Sequence, residues 1–435
     1  MIGYTRGFLA TLLMACPTSP LDAREREPLV PPKPSGCVRV ATFNVSLNRP
    51  QAGGLIASLA TPDDPQARVI AEVIQRVAPD VILLNEFDYD PDGTALAAFQ
   101  DRYLAVSQNG APPRAFAHRL IGPVNTGVPS GRDLNHDGRV VNQPGSRGYG
   151  EDCQGYGQHP GQYGMAILSV HPIRREALRD FQAVLWSDMP NARLPRDPQG
   201  TPWYGPDDLK VLRLSSKSHW DVPIDIDGTL LNLLASHPTP PAFDGPEQRN
   251  VARNHDEIRL WADYLTGGSR AAWLKSNGQD QPLEPPRWFV ILGDLNSDPH
   301  DPADGLKAIR QLLDHPRVNA TFRPESPGAV EASQTQGGAN RAHQGDPRHD
   351  TADFDDRSVG NLRVDYVLPS RGLTIRGGGV VWPRSDSPWA RLIDPRTSSD
   401  HHLVYLDLDW PPRADEKPVN PTGGEPAFLE KKNDP

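Results

Sequence analysis

The sequence predicts an α/β (α+β) fold, a four-layer sandwich of two packed mixed β-sheets flanked by helices and interrupted by long irregular loops. Three observations carry that prediction. Short apolar runs rich in β-formers recur along the chain, at 38–44, 81–85, 165–169, 230–236, 288–293, 363–368 and 403–408, each about the length of a buried strand. Apolar residues at helical spacing lie between some of them, at 66–77 and 254–265. The composition, 37% hydrophobic with 47 Pro and 38 Gly in 435 residues, describes a globular core with much irregular loop rather than a helical bundle. Strands mixed with helices in this way pack as sheets face to face with helices outside. Length alone leaves the domain count open, and no internal repeat divides the chain, so residues 38–410 are read as one domain.

The two ends read differently from this body. Met1 to Arg6 followed by the apolar run Gly7 to Ala15 has the form of an export signal, assigned to 1–22, and is too short for a membrane span. Two processing routes are open: ordinary signal cleavage, or a lipoprotein signal ending before Cys16, which would then anchor the chain through lipid. Both place the protein outside the cytoplasm, in the periplasm, the extracellular space or on a membrane surface. Residues 23–37 are a charged, Pro-rich linker, and 411–435 a polar tail predicted to be disordered. With Cys16 set aside, Cys37 and Cys153 are either one disulfide or two unpaired thiols. The formal net charge of −10 and pI near 5.7 exclude a broadly basic surface of the kind that grips nucleic acid through many phosphates.

The chemistry sits where the strands stop. Phe43-Asn44, Asn85-Glu86, Ser236-His237, Gly293-Asp294-Leu295-Asn296, Arg363-Val364-Asp365-Tyr366 and Ser399-Asp400-His401-His402 place polar, chemically capable side chains at strand ends, from which they can converge on one cleft. The ordered set Gly-Asp-Leu-Asn, Arg-Val-Asp-Tyr-Val-Leu and Ser-Asp-His resembles the endonuclease/exonuclease/phosphatase superfamily, which includes deoxyribonuclease I-like nucleases, inositol-polyphosphate phosphatases and bacterial sphingomyelinases. The resemblance covers roughly residues 38 to 410.

A phosphodiester carries negative charge and repels hydroxide, so a cation must offset that charge. Glu86 offers the hard carboxylate oxygen that Mg²⁺ or Mn²⁺ prefers, with Asn44 and Asp400 as neighbouring oxygen ligands. Asp294 and Asn296, two apart, point to one side of an extended segment. The resemblance implies that Asp294 positions or deprotonates the attacking water and that Asn296 hydrogen-bonds the scissile phosphate. Taken by themselves, the same residues would read as an Asx turn. His237 and His401 supply imidazoles able to donate to phosphate oxygens or to protonate a leaving alkoxide. The family pairing makes Asp365 the orienter of His401, whereas no carboxylate partner for His237 can be named.

Asp133, Asn135 and Asp137, followed by Gly138, form the first half of an EF-hand-like loop. Pro144 stands where the closing Glu would be, so a structural Ca²⁺ here would need Glu151 or Asp152 to complete its shell. Trp186, Trp203 and Trp220 lie in a Pro-rich region and are read as anchors held by burial rather than as stacking platforms. The functional expectation is an exported, divalent-metal-dependent phosphodiesterase acting on nucleic acid or a small organic phosphate. A phosphomonoesterase for small exported esters and a non-catalytic metal-binding surface protein are the alternatives.

Overall fold

Strand after strand in this chain alternates its side chains between two apolar environments, which decides the architecture. In the computed structural model, which describes residues 27–279, 283–302 and 305–412, one sheet has six strands in the order β12 (Ile375–Val380), β13 (Val404–Asp409), β1 (Cys37–Leu47), β2 (Val81–Phe87), β4 (Met165–Ser169) and β3 (His118–Ile121). The other has five, in the order β11 (Asp365–Pro369), β8 (Phe289–Asp294), β7 (Thr229–Ser236), β6 (His219–Ile226) and β5 (Arg179–Asp180). The pair β9 (Ala352–Asp353) and β10 (Asn361–Leu362) stands apart. Both large sheets are mixed: β1 with β2 and β7 with β8 run parallel, and the neighbours are antiparallel.

Val38, Val40, Val81, Leu83, Leu231, Leu233, Ala235, Val290, Leu292 and Val367 meet in the core between the sheets. Their strand neighbours Ala41, Phe43, Ile82 and Leu84 face outward onto α1 (Pro65–Val77), where Ile70, Ala71, Ile74 and Val77 are fully buried. On the far side Leu234, Phe289, Ile291 and Leu368 pack on Ile258, Trp261 and Tyr264 of α2 (Arg249–Thr266). Period-two strands with both faces apolar require cover on both faces, and the result is the predicted four layers. Each buried aliphatic side chain contributes roughly 1.5–3 kcal/mol relative to exposure.

The helix boundaries have local causes. The Asp64 carboxylate accepts from Ala67 N–H at 2.9 Å, Pro65 opens the helix, and Ala78 in the left-handed region closes α1. Helix α2 is capped from outside its own N-cap position, by Asp244 accepting from Asn250 and Val251 N–H.

The sequence reading missed strands that carry atypical residues. β6 has Pro223 in its middle and β12 has Gly377, Gly378 and Gly379, so neither shows an uninterrupted run of strand formers. Trp186 and Trp220 are buried, Trp186 donating to Asp256 at 2.8 Å, and Trp203 stacks on His136 at 4.2 Å, as anchors would. Cys37 and Cys153 are separate free thiols rather than a disulfide: Cys37 faces Asp409, and burial pushes both thiols up, to about 11 and about 12. The export signal 1–22 with Cys16, the first part of the linker and nearly all of the tail lie outside the described residues. Among the described residues no helix is long and apolar enough to cross a membrane.

Candidate active site

The inward-facing rows of the sandwich change from apolar to polar at one edge. Counting by twos from Val40 gives Thr42 and Asn44; from Leu83, Asn85; from Ala235, His237; from Leu292, Asp294; and back from Val367, Asp365. The sheets thus project these polar side chains into the inter-sheet space just beyond the last apolar layer. Two backbone features sharpen the convergence. A side chain at Gly293 would meet Ser236 O at 2.0 Å, so glycine lets β7 and β8 close up where His237 and Asp294 emerge. The β1–β2 register shifts between Asn44 and Leu47, with Ser46 and Glu86 at positive φ (49° and 57°), a bulge that re-aims Glu86.

Asp294 is the hub. Its Oδ2 accepts from Asn44 Nδ2 at 3.1 Å and lies 3.3 Å from His237 Nε2 and 3.7 Å from His401 Nε2, while its Oδ1 accepts from Asn296 N–H at 3.0 Å. Asp365, paired with Asp294 across β11 and β8, accepts from Thr351 Oγ1 and from His401 Nδ1, both at 2.9 Å. Two carboxylates side by side in a dry site would repel; an imidazolium between them removes the conflict. Burial opposes charge on His401, yet Asp365 and Asp294 outweigh it and hold the ring's pKa well above its ordinary value. Burial likewise opposes charge on Asp294, but the two imidazoles and Asn44 hold it well below the usual carboxylate range. Burial pushes Asp365 up to about 6 against the pull of His401. His237 goes the other way: burial, with Lys217 nearby, lowers it to about 4. Its Nδ1 is buried without a hydrogen-bond partner, so Asp294, at Nε2, is the carboxylate that orients the ring. The site therefore holds one neutral and one charged imidazole on a single carboxylate.

Glu86 is half-buried, accepts from Asn48 Nδ2 at 2.9 Å and has Asn44 as a hydrogen-bond partner; burial raises its pKa. Among the described residues no cation lies in ion-pair contact with it. A carboxylate penalised by burial, flanked by amide side chains and with no cation in ion-pair contact, matches the hard-oxygen chemistry of Mg²⁺ or Mn²⁺. Asp294, Asp365 and His401 also offer ligand atoms within 4.8 Å of one another. There the His401 ring spends Nδ1 on Asp365 and keeps Nε2, 3.7 Å from Asp294, free to donate, which suits hydrogen bonding better than ligation. Asp400 is half-buried beside His401 and acts electrostatically on it.

Asn296 and the Asp133–Asp137 turn have more local partners than their predicted roles require. Asn296, at φ 52°, donates through Nδ2 to Pro238 O at 3.1 Å, leaving one amide N–H for a substrate. Near the start of β4, Gln162 donates to Arg49 O at 3.0 Å and Tyr163 lies near Glu86. In the Asp133–Asp137 turn the carboxylates accept the loop's own N–H groups, and Asn135 is tied to Glu151 at 2.8 Å.

Residues outside the predicted set complete the cleft. Asn85 accepts from Asp294 N–H at 3.2 Å and donates to Ser236 O at 3.4 Å, tying the sheets together. Thr351 fixes Asp365. Lys217, 6% exposed, acts on Glu86 and Asp294. The pairing His219↔Ser236 brings the start of β6 to the edge where β7 ends, a link invisible while β6 itself is unrecognised.

His402 does not share the site. It packs tilted against Trp382, ring centroids 3.9 Å apart, and burial together with His401 lowers it to about 3. A base depressed in the fold binds fewer protons than in the unfolded chain, so it costs stability as pH falls from about 6.5 towards 3. His402→Phe is expected to flatten the fall of unfolding free energy with acidification by up to about one proton, or ~1.4 kcal/mol per pH unit. Urea unfolding at pH 6.5 and 5 reads this; equal slopes in both proteins would mean His402 is charged in the fold.

The sequence model of the Endonuclease/Exonuclease/phosphatase family matches residues 41–401, and the chain belongs to that family. It is a metal-dependent phosphoric ester hydrolase of that family. Solved structures similar to it include an endonuclease/exonuclease/phosphatase from Beutenbergia cavernae, 20% identical, covering 86% of this chain and 71% of that one, TM-score 0.45. A sphingomyelinase C from Streptomyces griseocarneus is 17% identical over 85% and 99%, TM-score 0.40. A 3'-5' exonuclease from Neisseria meningitidis is 13% identical over 86% and 100%, TM-score 0.39. No curated protein matches the chain.

Proposed function

We propose that the chain hydrolyses a phosphodiester by in-line attack of water, with the divalent cation held by Glu86, Asn44 and Asp400. The observation that carries this is the Asp294 carboxylate placed between the Nε2 atoms of His237 and His401, with Asp365 on the far nitrogen of His401. Asp294 orients the attacking water and can receive its proton, although its low pKa makes it a better positioner than base. His401, kept protonated by Asp365, donates to the phosphate or the departing oxygen. His237 donates through Nε2, and Asn296 offers its remaining amide proton to a non-bridging oxygen. The cation, when bound, neutralises phosphate charge and favours hydroxide formation. No covalent intermediate is needed.

The net charge of −10 favours small phosphodiesters over long nucleic acid. Hydrolysis of duplex DNA, bis-p-nitrophenyl phosphate and p-nitrophenyl phosphate with Mg²⁺, Mn²⁺ or Ca²⁺ tests the reading. Diester turnover is expected; monoester-only turnover would make the protein a phosphatase, and silence on all three would favour a metal-binding surface protein or a specialised substrate. We also propose export through residues 1–22, with the mass of the mature chain deciding between simple cleavage and lipid on Cys16.

A structural Ca²⁺ in the Asp133–Asp137 turn is the remaining part of the proposal. It predicts that millimolar Ca²⁺ raises the thermal midpoint by several degrees, following the stabilisation expected of a ligand that binds only the folded state. Asp133→Ala/Asp137→Ala should abolish the rise, and an equal rise in the variant would place the ion elsewhere.

A further inference from the structure

One cation in the cleft has no role in the chemistry above. Lys217 lies just before β6, and its position is fixed on both sides. Asn125 N–H donates to its carbonyl at 2.9 Å, Ser216 donates to Glu257 through N–H and Oγ, and His219 pairs with Ser236. The side chain is buried beside Glu86, Asp294, Glu257 and His237. Among the described residues no carboxylate oxygen lies within 4.0 Å of its Nζ, and Nζ makes no hydrogen bond.

Its surroundings do not explain it structurally. Glu257 is already satisfied by Ser216 N–H at 2.5 Å, Ser216 Oγ at 2.9 Å and Thr239 N–H at 2.7 Å, so it needs no counter-ion. Arg253, the neighbouring buried cation, shows what a structural role looks like here: its guanidinium donates to the carbonyls of Leu214, Arg213 and Gln154. Lys217 has no such partners. Holding an ammonium in a largely buried cleft without a protein hydrogen bond is costly and persists where a ligand repays it. Glu86 and Asp294 act on Lys217 without touching it, a separation that a phosphate oxygen can bridge.

Resting on the phosphoesterase reading, we infer that Lys217 is a substrate ligand of this site, its Nζ donating to a non-bridging oxygen of the scissile phosphate as charge builds there. Lysine suits this as a compact charge with rotatable donors.

The test compares wild type, Lys217→Met and Lys217→Arg in bis-p-nitrophenyl phosphate kinetics, inhibition by inorganic phosphate and thermal midpoint. Lys217→Met is expected to lower kcat/KM about 100-fold, on the scale of losing one donor to a developing oxyanion. It should weaken phosphate inhibition about tenfold or more and leave the thermal midpoint unchanged or raised, while Lys217→Arg recovers part of the loss. A Met variant within twofold of wild type in both kinetic readouts overturns the inference. So does a loss shared equally by Arg and accompanied by a lower midpoint, which marks a structural role. A wild type that turns over no phosphoester overturns the phosphoesterase reading instead; calorimetric titration of wild type and Lys217→Met with inorganic phosphate then decides Lys217, equal affinities overturning its assignment.

Discussion

Asp294→Asn protein, assayed with Mg²⁺ or Mn²⁺, is expected to hydrolyse bis-p-nitrophenyl phosphate at least about 10³-fold more slowly than wild type, since residues that act as a unit lose more than a single donor would. The substitution preserves shape and most hydrogen bonding but removes the charge that His401 and His237 share. With Asp365 and Asp400 left to favour its proton, His401 should titrate lower, and NMR titration of its ring resonances would register that shift. His237→Ala belongs to the same unit and should also lose most activity. If either protein retained full metal-dependent activity across a broad phosphoester panel, the hub would not be the catalytic centre.

Glu86→Gln is expected to raise the Mg²⁺ or Mn²⁺ concentration needed for half-maximal activity by about 10- to 100-fold and to lower activity at saturation. Burial already penalises the Glu86 charge, so the metal-free variant should be at least as stable as metal-free wild type. This separates a lost ligand from a damaged fold: metal dose-response moves, thermal midpoint does not fall. An unchanged metal requirement would assign the cation to another set, of which Asp294, Asp365 and His401 are the nearest candidates.

Much of this centre was legible because its residues end strands that announce themselves. Val81 to Leu84 and Phe289 to Leu292 are unbroken apolar runs, so Glu86 and Asp294 follow them visibly. Asp365 and His401, 36 positions apart, do meet, as the resemblance implied. The parity that turns Asn44, Asn85, His237, Asp294 and Asp365 to one interior is also written in the sequence, but it becomes readable only once the two sheets are known to face each other. Lys217 was hidden for a different reason. It precedes a strand, and that strand contains Pro223, whose missing N–H argues against a central position even though β6 lies between β5 and β7. Thr351 was hidden because its partner Asp365 is 14 residues away across an irregular loop that no periodicity describes.

Water attacking phosphorus with a divalent cation's help is the central step of the proposed reaction. Hydrolysis of bis-p-nitrophenyl phosphate in ¹⁸O-labelled water by EDTA-stripped protein, with and without added Mg²⁺ or Mn²⁺, measures both parts together. The account predicts no turnover until metal is added and then one ¹⁸O in the p-nitrophenyl phosphate product, none in p-nitrophenol. Turnover that survives removal of metal, or label in the phenol, would contradict it.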